Sequence, residues 1–279
     1  MTNVWSTTKT MTALCALVLA DRTELDLYAP VAKYWPEFGA AGKDRIEVRH
    51  LLSHTAGLPR LGPANDAGRP VRLGEGHRSA GPPAPRWEPG TASGYHRFTH
   101  GFLIGEVIRR ICQQSIGAYF ADQIATRLDA DFHIGLAAEH DHRVSDVVPA
   151  PGPAPSANPH VAIPVGAYVT AQDTWSTQWR RAAIPTADGY GNARSVAAVQ
   201  SVLAAGGRRR RGAFFPKQPA ARCSTNSPTA LISCWAYPSD SAWATPSTPA
   251  TPQSRQPTPT PATGEGEAGH WSSTISTHT

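Results

Sequence analysis

The chain has no apolar stretch long enough to cross a bilayer, which takes about 20 consecutive apolar residues, so no membrane span is expected. Its four cysteines, Cys15, Cys112, Cys223 and Cys234, form no C-x-x-C pair and have no zinc-ligand spacing, which excludes the common redox and zinc motifs. A reduced, cytoplasmic protein is the simplest reading. A G-x-S-x-G elbow is absent, which argues against an α/β-hydrolase. His50 and His54 are four apart, as are His96 and His100, and His140-Asp141-His142 forms a short cluster. No Glu follows His50 as H-E-x-x-H requires, so these histidines read as solvated or capping groups, with no metal and no cofactor.

What is present divides the chain unevenly. Its 279 residues allow a sizeable core, but 26 prolines and 24 glycines imply that part of it is not packed. The formal charge of +5 is spread out apart from the run Arg208 to Arg211, itself read as solvated or out of frame, so no nucleic-acid partner is expected. Lys9 and the apolar stretch after it have the outline of a secretory leader, which keeps secretion open as an alternative. Against that, Met11, Leu14, Cys15, Val18 and Leu19 follow i, i+3, i+4, i+7, i+8 spacing and predict an amphipathic core helix over 5–20.

Further helices are predicted where apolar residues recur at helical spacing. One follows Ile46 and is closed by Gly57 and Pro59; another carries Phe102, Leu103, Val107, Ile108 and Ile111; a third carries Ile116, Tyr119, Phe120 and Ile124. Asn192 is placed to cap a helix bearing Val196, Val199 and Leu203, with Gly189 to Asn192 read as a structural turn supplying positive φ values. Residues 61–86 form an irregular insert and 149–160 a proline-rich linker. Residues 1–207 therefore make up the folded region, and 208–279, poor in periodic apolar residues, is expected to be a disordered tail.

The pattern that carries chemistry is Ser6-Thr7-Thr8-Lys9, a hydroxyl and an amine three residues apart on one helical face. A serine is a weak nucleophile at its free pKa, and a neighbouring amine takes its proton only when that amine is itself uncharged. Burial and a nearby cation are the means of lowering a lysine pKa to that point. The helix start adds N–H groups and a dipole suited to an oxyanion. Taken alone, S-x-x-K is a weak signal, since two common residues at a common spacing usually form a solvated helix edge.

Three blocks change that weighting: NVWSTTKTMTAL, IEVRHLLSHTAGLP and WEPGTASGYHRFTHGFLIGEVIRRI, supported by FHIGL at 132–136 and GNARSVA at 191–197. In order and spacing they resemble serine hydrolases of the β-lactamase and penicillin-binding-protein superfamily, in particular the esterases related to class C β-lactamases. The resemblance spans roughly 3–60 and 87–207. It implies an α+β, β-lactamase/transpeptidase-like fold, here mainly the helical lobe with an incomplete antiparallel sheet. It also implies Ser6 as acylated nucleophile, Lys9 as its activator and Tyr95 as general base with Lys9, on a small-molecule ester. A β-lactamase or D-alanyl-D-alanine carboxypeptidase-type activity is the alternative substrate class, and a non-catalytic remnant the alternative from another class.

Two departures accompany the resemblance. The family's Tyr-x-Asn is Tyr95-His96-Arg97, and no Lys-Thr-Gly or His-x-Gly match follows residue 207, although that strand supplies the second oxyanion N–H in the family. With the position of Ser6 near the start, these gaps lead to the expectation of a truncated, frame-disrupted version of a longer hydrolase.

Overall fold

The structure is a computed structural model that describes residues 1–59, 84–149, 169–205 and the backbone of 208–209 and 212–213. The described residues all lie in one compact unit, Met1–Ala244. Residues 61–83 of the 61–86 insert, most of the 149–160 linker, Cys223, Cys234 and nearly all of 208–279 lie outside the described residues. A short antiparallel pairing joins β4 (Arg208–Arg209) to β5 (Gly212–Ala213).

A single helix organises the described part. A 3₁₀ turn at Trp5–Thr7 leads into α1 (Thr8–Asp21). The predicted apolar stripe is buried, but so is the rest of the helix from Met11 to Leu19, including Ala13, Ala16 and Leu17. The expected amphipathic helix is therefore corrected to a central helix enclosed on all sides. The polar residues at its start explain how this is possible, because Thr8, Lys9 and Thr12 are buried but bonded. Thr12 Oγ1 donates to Pro185 O at 2.6 Å, and Thr8 Oγ1 accepts from the Gly189 N–H at 2.8 Å. A buried polar group is tolerated when such partners replace water.

Helix α2 (Val48–Leu52) packs on α3 (Thr99–Cys112), which itself packs on α1 together with α4 (Ile116–Phe120), the last continuing through a π-helical turn at Ala121–Ala125 into α5 (Thr126–Leu128). Leu51, Leu103, Val107, Ile108, Phe120 and Ile124 join Met11, Leu14 and Leu19 in one core. Each such side chain is worth about 1.5–3 kcal/mol relative to exposure. A short helix α6 (Thr177–Arg181) carries Trp179 into a second, smaller cluster with Phe102, Ile184 and Tyr190. In α7 (Ala193–Ala204) the Asn192 side chain caps the helix as its sequence predicts, accepting from the Ser195 N–H at 2.9 Å.

The sheet is small and antiparallel, with β1 (Thr2–Asn3) and β2 (His133–Ile134) on either side of β3 (Gly189–Gly191). The expected turn at Gly189 to Asn192 is thus a central strand followed by a cap, and neither Gly189 nor Gly191 has a positive φ. Close approach is what requires these glycines. A Cβ on Gly189 would meet Thr8 Oγ1 at 2.5 Å and the Phe132 ring at 2.7 Å, so a side chain would push the strand off α1.

The same packing makes a test at α3. Gly101 lies against the Pro185 backbone, with an added Cβ only 2.5 Å from its carbonyl carbon and oxygen. In an open helix, Gly→Ala stabilises by about 1 kcal/mol. Gly101→Ala is expected instead to destabilise by about 1–3 kcal/mol, because the 185–189 segment must shift. A urea midpoint at or above that of the unchanged protein would show that this contact is loose.

Candidate active site

Ser6 reaches the surface through a strained turn. Trp5, immediately before it, has φ +50, a left-handed conformation that costs a non-glycine residue on the order of 1 kcal/mol. Three contacts hold it there. The Trp5 N–H donates to Asn3 Oδ1 at 3.1 Å, its carbonyl accepts from Thr8 Oγ1, and its ring packs edge-on against Trp179 with centroids 6.1 Å apart. The result is an exposed hydroxyl directly above a buried amine.

Lys9 is 3% exposed, and its Nζ donates to Ser6 Oγ at 3.0 Å and to Thr186 O at 3.2 Å. No carboxylate is paired with it among the described residues. Desolvation by burial, with a smaller push from the positive charge of Arg97, lowers its pKa to about 7. Near neutrality a substantial fraction of Lys9 is therefore a neutral amine able to accept a proton.

Tyr95 approaches from the opposite side and donates its hydroxyl to Ser6 Oγ at 2.8 Å, with its ring 4.9 Å from Lys9 Nζ. The structure therefore brings Ser6, Lys9 and Tyr95 into mutual contact. Burial pushes the Tyr95 pKa up, against smaller opposing effects of the Ser6 hydrogen bond and Arg97. The two groups are thus shifted in opposite senses, the Lys9 amine toward its neutral form and the Tyr95 phenol toward keeping its proton.

Only some of the histidines keep their expected solvated or capping placement. His50 does act as a cap, its Nδ1 accepting from the Glu47 N–H at 3.2 Å. His54, His96 and His100 are instead buried, with His54 centroids 5.5 Å from His96 and 4.9 Å from His100. They are missed because their contacts join two sequence blocks that are 40 residues apart. His140 and His142 lie on a 3₁₀ turn at Ala138–Arg143, away from these three elements.

Those two blocks are clamped together by backbone bonds. The Gly94 N–H donates to His54 O at 3.0 Å, the His96 N–H to His54 Nδ1 at 3.2 Å, and the Leu58 N–H to His96 Nε2 at 3.2 Å. Trp87 Nε1 and the Gly90 N–H both donate to Thr55 O, and Thr99 Oγ1 donates to Leu58 O at 2.8 Å. The turn at 54–58 thus sets where the Tyr95 segment lies. Also missed were Thr8, Thr12 and Thr186, whose contacts fix α1 to the 185–189 segment; runs of threonine at a helix start were the available signal.

Among the described residues no group of three or more His, Cys, Asp or Glu side chains is arranged to hold a metal ion. None of the described helices is long and apolar enough to cross a membrane.

Comparison with known proteins agrees with this architecture. The family model described as Beta-lactamase matches residues 1–225. The chain is 35% identical over 150 residues to the esterase/beta-lactamase LipL of Mycobacterium tuberculosis (strain ATCC 25618 / H37Rv), covering 52% of this chain and 34% of LipL. It is similar to the crystal structure of a family VIII carboxylesterase, with 35% identity, a TM-score of 0.61, and coverage of 76% of this chain and 57% of the other. A penicillin-binding protein homologue from Caulobacter crescentus gives 32% identity, a TM-score of 0.64 and coverage of 76% and 58%. The chain thus spans about a third of LipL and less than three fifths of the two solved relatives.

The Lys9 environment has a measurable signature in stability. Its pKa is near 10.5 when unfolded and about 7 when folded, so between those values the unfolded chain holds a proton that the folded one has lost. The stability of the unchanged protein relative to Lys9→Met should therefore rise with pH from about 7 to 10.5, by at most about 1.4 kcal/mol per unit, and be level below 7. Urea unfolding of both proteins at pH 6, 7, 8 and 9 measures this. A difference that stays constant from 7 to 9 would mean that the buried amine keeps its charge.

Proposed function

The chain belongs to the β-lactamase family of hydrolases, and on that premise we propose that it is a serine carboxylesterase acting on small esters through an acyl-enzyme on Ser6. The observation that carries this reading is the double contact on Ser6 Oγ, from Lys9 at 3.0 Å and Tyr95 at 2.8 Å, with the amine poised near neutral pH.

In the proposed sequence, neutral Lys9 keeps one N–H on Thr186 O and turns its lone pair to the Ser6 hydroxyl. Ser6 Oγ attacks the ester carbonyl carbon as its proton passes to Lys9 Nζ. The carbonyl π electrons move to oxygen, where N–H groups at the start of the helical turn stabilise the charge. When the tetrahedral intermediate collapses, the C–O bond to the alcohol breaks, and Tyr95 relays a proton from Lys9 to the leaving oxygen. Water then attacks the acyl carbon, losing its proton by the same route, and Ser6 is regenerated.

The esterase reading is favoured over a penicillin-directed one by the second block, where Arg97 stands in place of the Asn of Tyr-x-Asn. The name of LipL includes both activities, so a chromogenic cephalosporin belongs beside esters in the assay.

Incubation with a fluorophosphonate is expected to add one adduct mass to Ser6, and p-nitrophenyl butyrate to be hydrolysed. Ser6→Ala should abolish both. Lys9→Ala and Tyr95→Phe should each lower kcat by about 10²–10⁴-fold, the usual range for loss of a positioned proton-transfer group. Undiminished ester hydrolysis by folded Ser6→Ala would remove Ser6 as the nucleophile.

A further inference from the structure

His54 is the hub of a buried group that the proposed chemistry does not use. Its ring centroid lies 5.0 Å from Tyr95, 5.5 Å from His96 and 4.9 Å from His100. Its backbone has φ +62, in the left-handed region. Its Nδ1 accepts from the His96 N–H, which leaves the proton of the neutral ring on Nε2. His96 in turn accepts on Nε2 from the Leu58 N–H, and His100 is hydrogen-bonded to the Leu52 backbone. Backbone groups thus select the tautomer of His54 and of His96, and no imidazole in the group is free to turn without breaking such a bond.

We propose that His54 is a positioning residue for Tyr95: locked by the His96 backbone and backed by the His96 and His100 rings, its ring holds the Tyr95 ring where the hydroxyl stays on Ser6 Oγ. The neighbours of Tyr95 are held through the backbone, at Gly94 by His54 O and at His96 by His54 Nδ1, so one residue fixes both the main chain around Tyr95 and one face of its ring. A ring displaced by about 1 Å loses the alignment on which proton transfer depends, at a cost of up to about 10²-fold in rate.

The lock requires a lone pair on His54 Nδ1 and therefore an uncharged ring. Among the described residues, the titratable groups that face it are Lys9 from α1, Tyr95 and His96 from the 95–97 turn, and His100 from α3. Burial first, then the charges of His96 and Lys9, lower the His54 pKa to about 2; burial alone takes His96 to about 3 and drives His100 well below its ordinary value. Across the neutral range the three rings form an uncharged wall beside Lys9.

This proposal rests on the reading of Ser6 and Tyr95 as the reacting pair, and its test separates the two. His54→Asn keeps an acceptor near the position of Nδ1 and tolerates the left-handed backbone, but removes the ring. With p-nitrophenyl butyrate, kcat is expected to fall about 10- to 100-fold with KM within about twofold, and the ¹³Cζ resonance of Tyr95 is expected to shift. A folded His54→Asn protein with unchanged kcat and an unchanged Tyr95 resonance overturns the proposal. If the unchanged protein hydrolyses no ester, the Tyr95 resonance alone decides, and a shift there supports the positioning role while the esterase reading fails. Should His54→Asn not fold, ¹⁵N spectra of the histidines in the unchanged protein take its place. All three rings are expected to remain neutral, each in one tautomer, from pH 5 to 8; titration of His54 in that range contradicts the lock.

Discussion

An ammonium group taken out of water without a carboxylate to meet it is unfavourable, and the site is built around that fact at Lys9. Its Nζ has a hydroxyl and a carbonyl as partners, which suit a neutral amine as well as a charged one. The cost of burial then appears as a lowered pKa rather than as unfolding, because the group can shed its proton. Arg97 works in the same direction from the outer side. A serine beside an ordinary surface lysine has no base; on the proposed reading, Lys9 gives Ser6 one.

Most of the surrounding structure serves to keep that amine dry and correctly placed. α1 is buried from Met11 to Leu19, and Lys9 is buried beneath the exposed Ser6. Thr8 and Thr12 tie the helix to the 185–189 segment, which also provides the carbonyl facing Lys9. Gly189 of β3 lets that segment lie close against the helix. On the other side, the 54–58 turn holds the 87–99 segment by a set of main-chain bonds and carries Tyr95 to the serine. Two of the sequence blocks on which the family resemblance rests are thus in direct contact, which gives a structural reason for them to occur together.

The helical parts of this arrangement were legible because helices depend on local spacing. The stripe through Leu103, Val107 and Ile108 and the cap at Asn192 fall where the pattern puts them. Ser6 and Lys9 share one turn, so their contact follows from spacing; Tyr95 came only from the resemblance of its block. Enclosure of the first helix was not legible, since Thr8, Lys9 and Thr12 look like a polar face until their partners at 185–189 are known. The histidines misled for the same reason. Spacing alone cannot distinguish a solvated His54 from one buried by residues 40 positions away, and a central strand of three residues with two glycines reads as a turn.

The central claim is that Lys9 is uncharged for much of its time at neutral pH, and the protonation state of that one nitrogen can be observed directly. Following the ¹³Cε resonance of Lys9, assigned by its loss in Lys9→Met, across pH 5 to 11 gives its titration in the folded protein. The account predicts a midpoint near 7. A midpoint near the 10.4 of an exposed lysine would contradict it, because Ser6 would then lie beside a permanent cation with no base to take its proton.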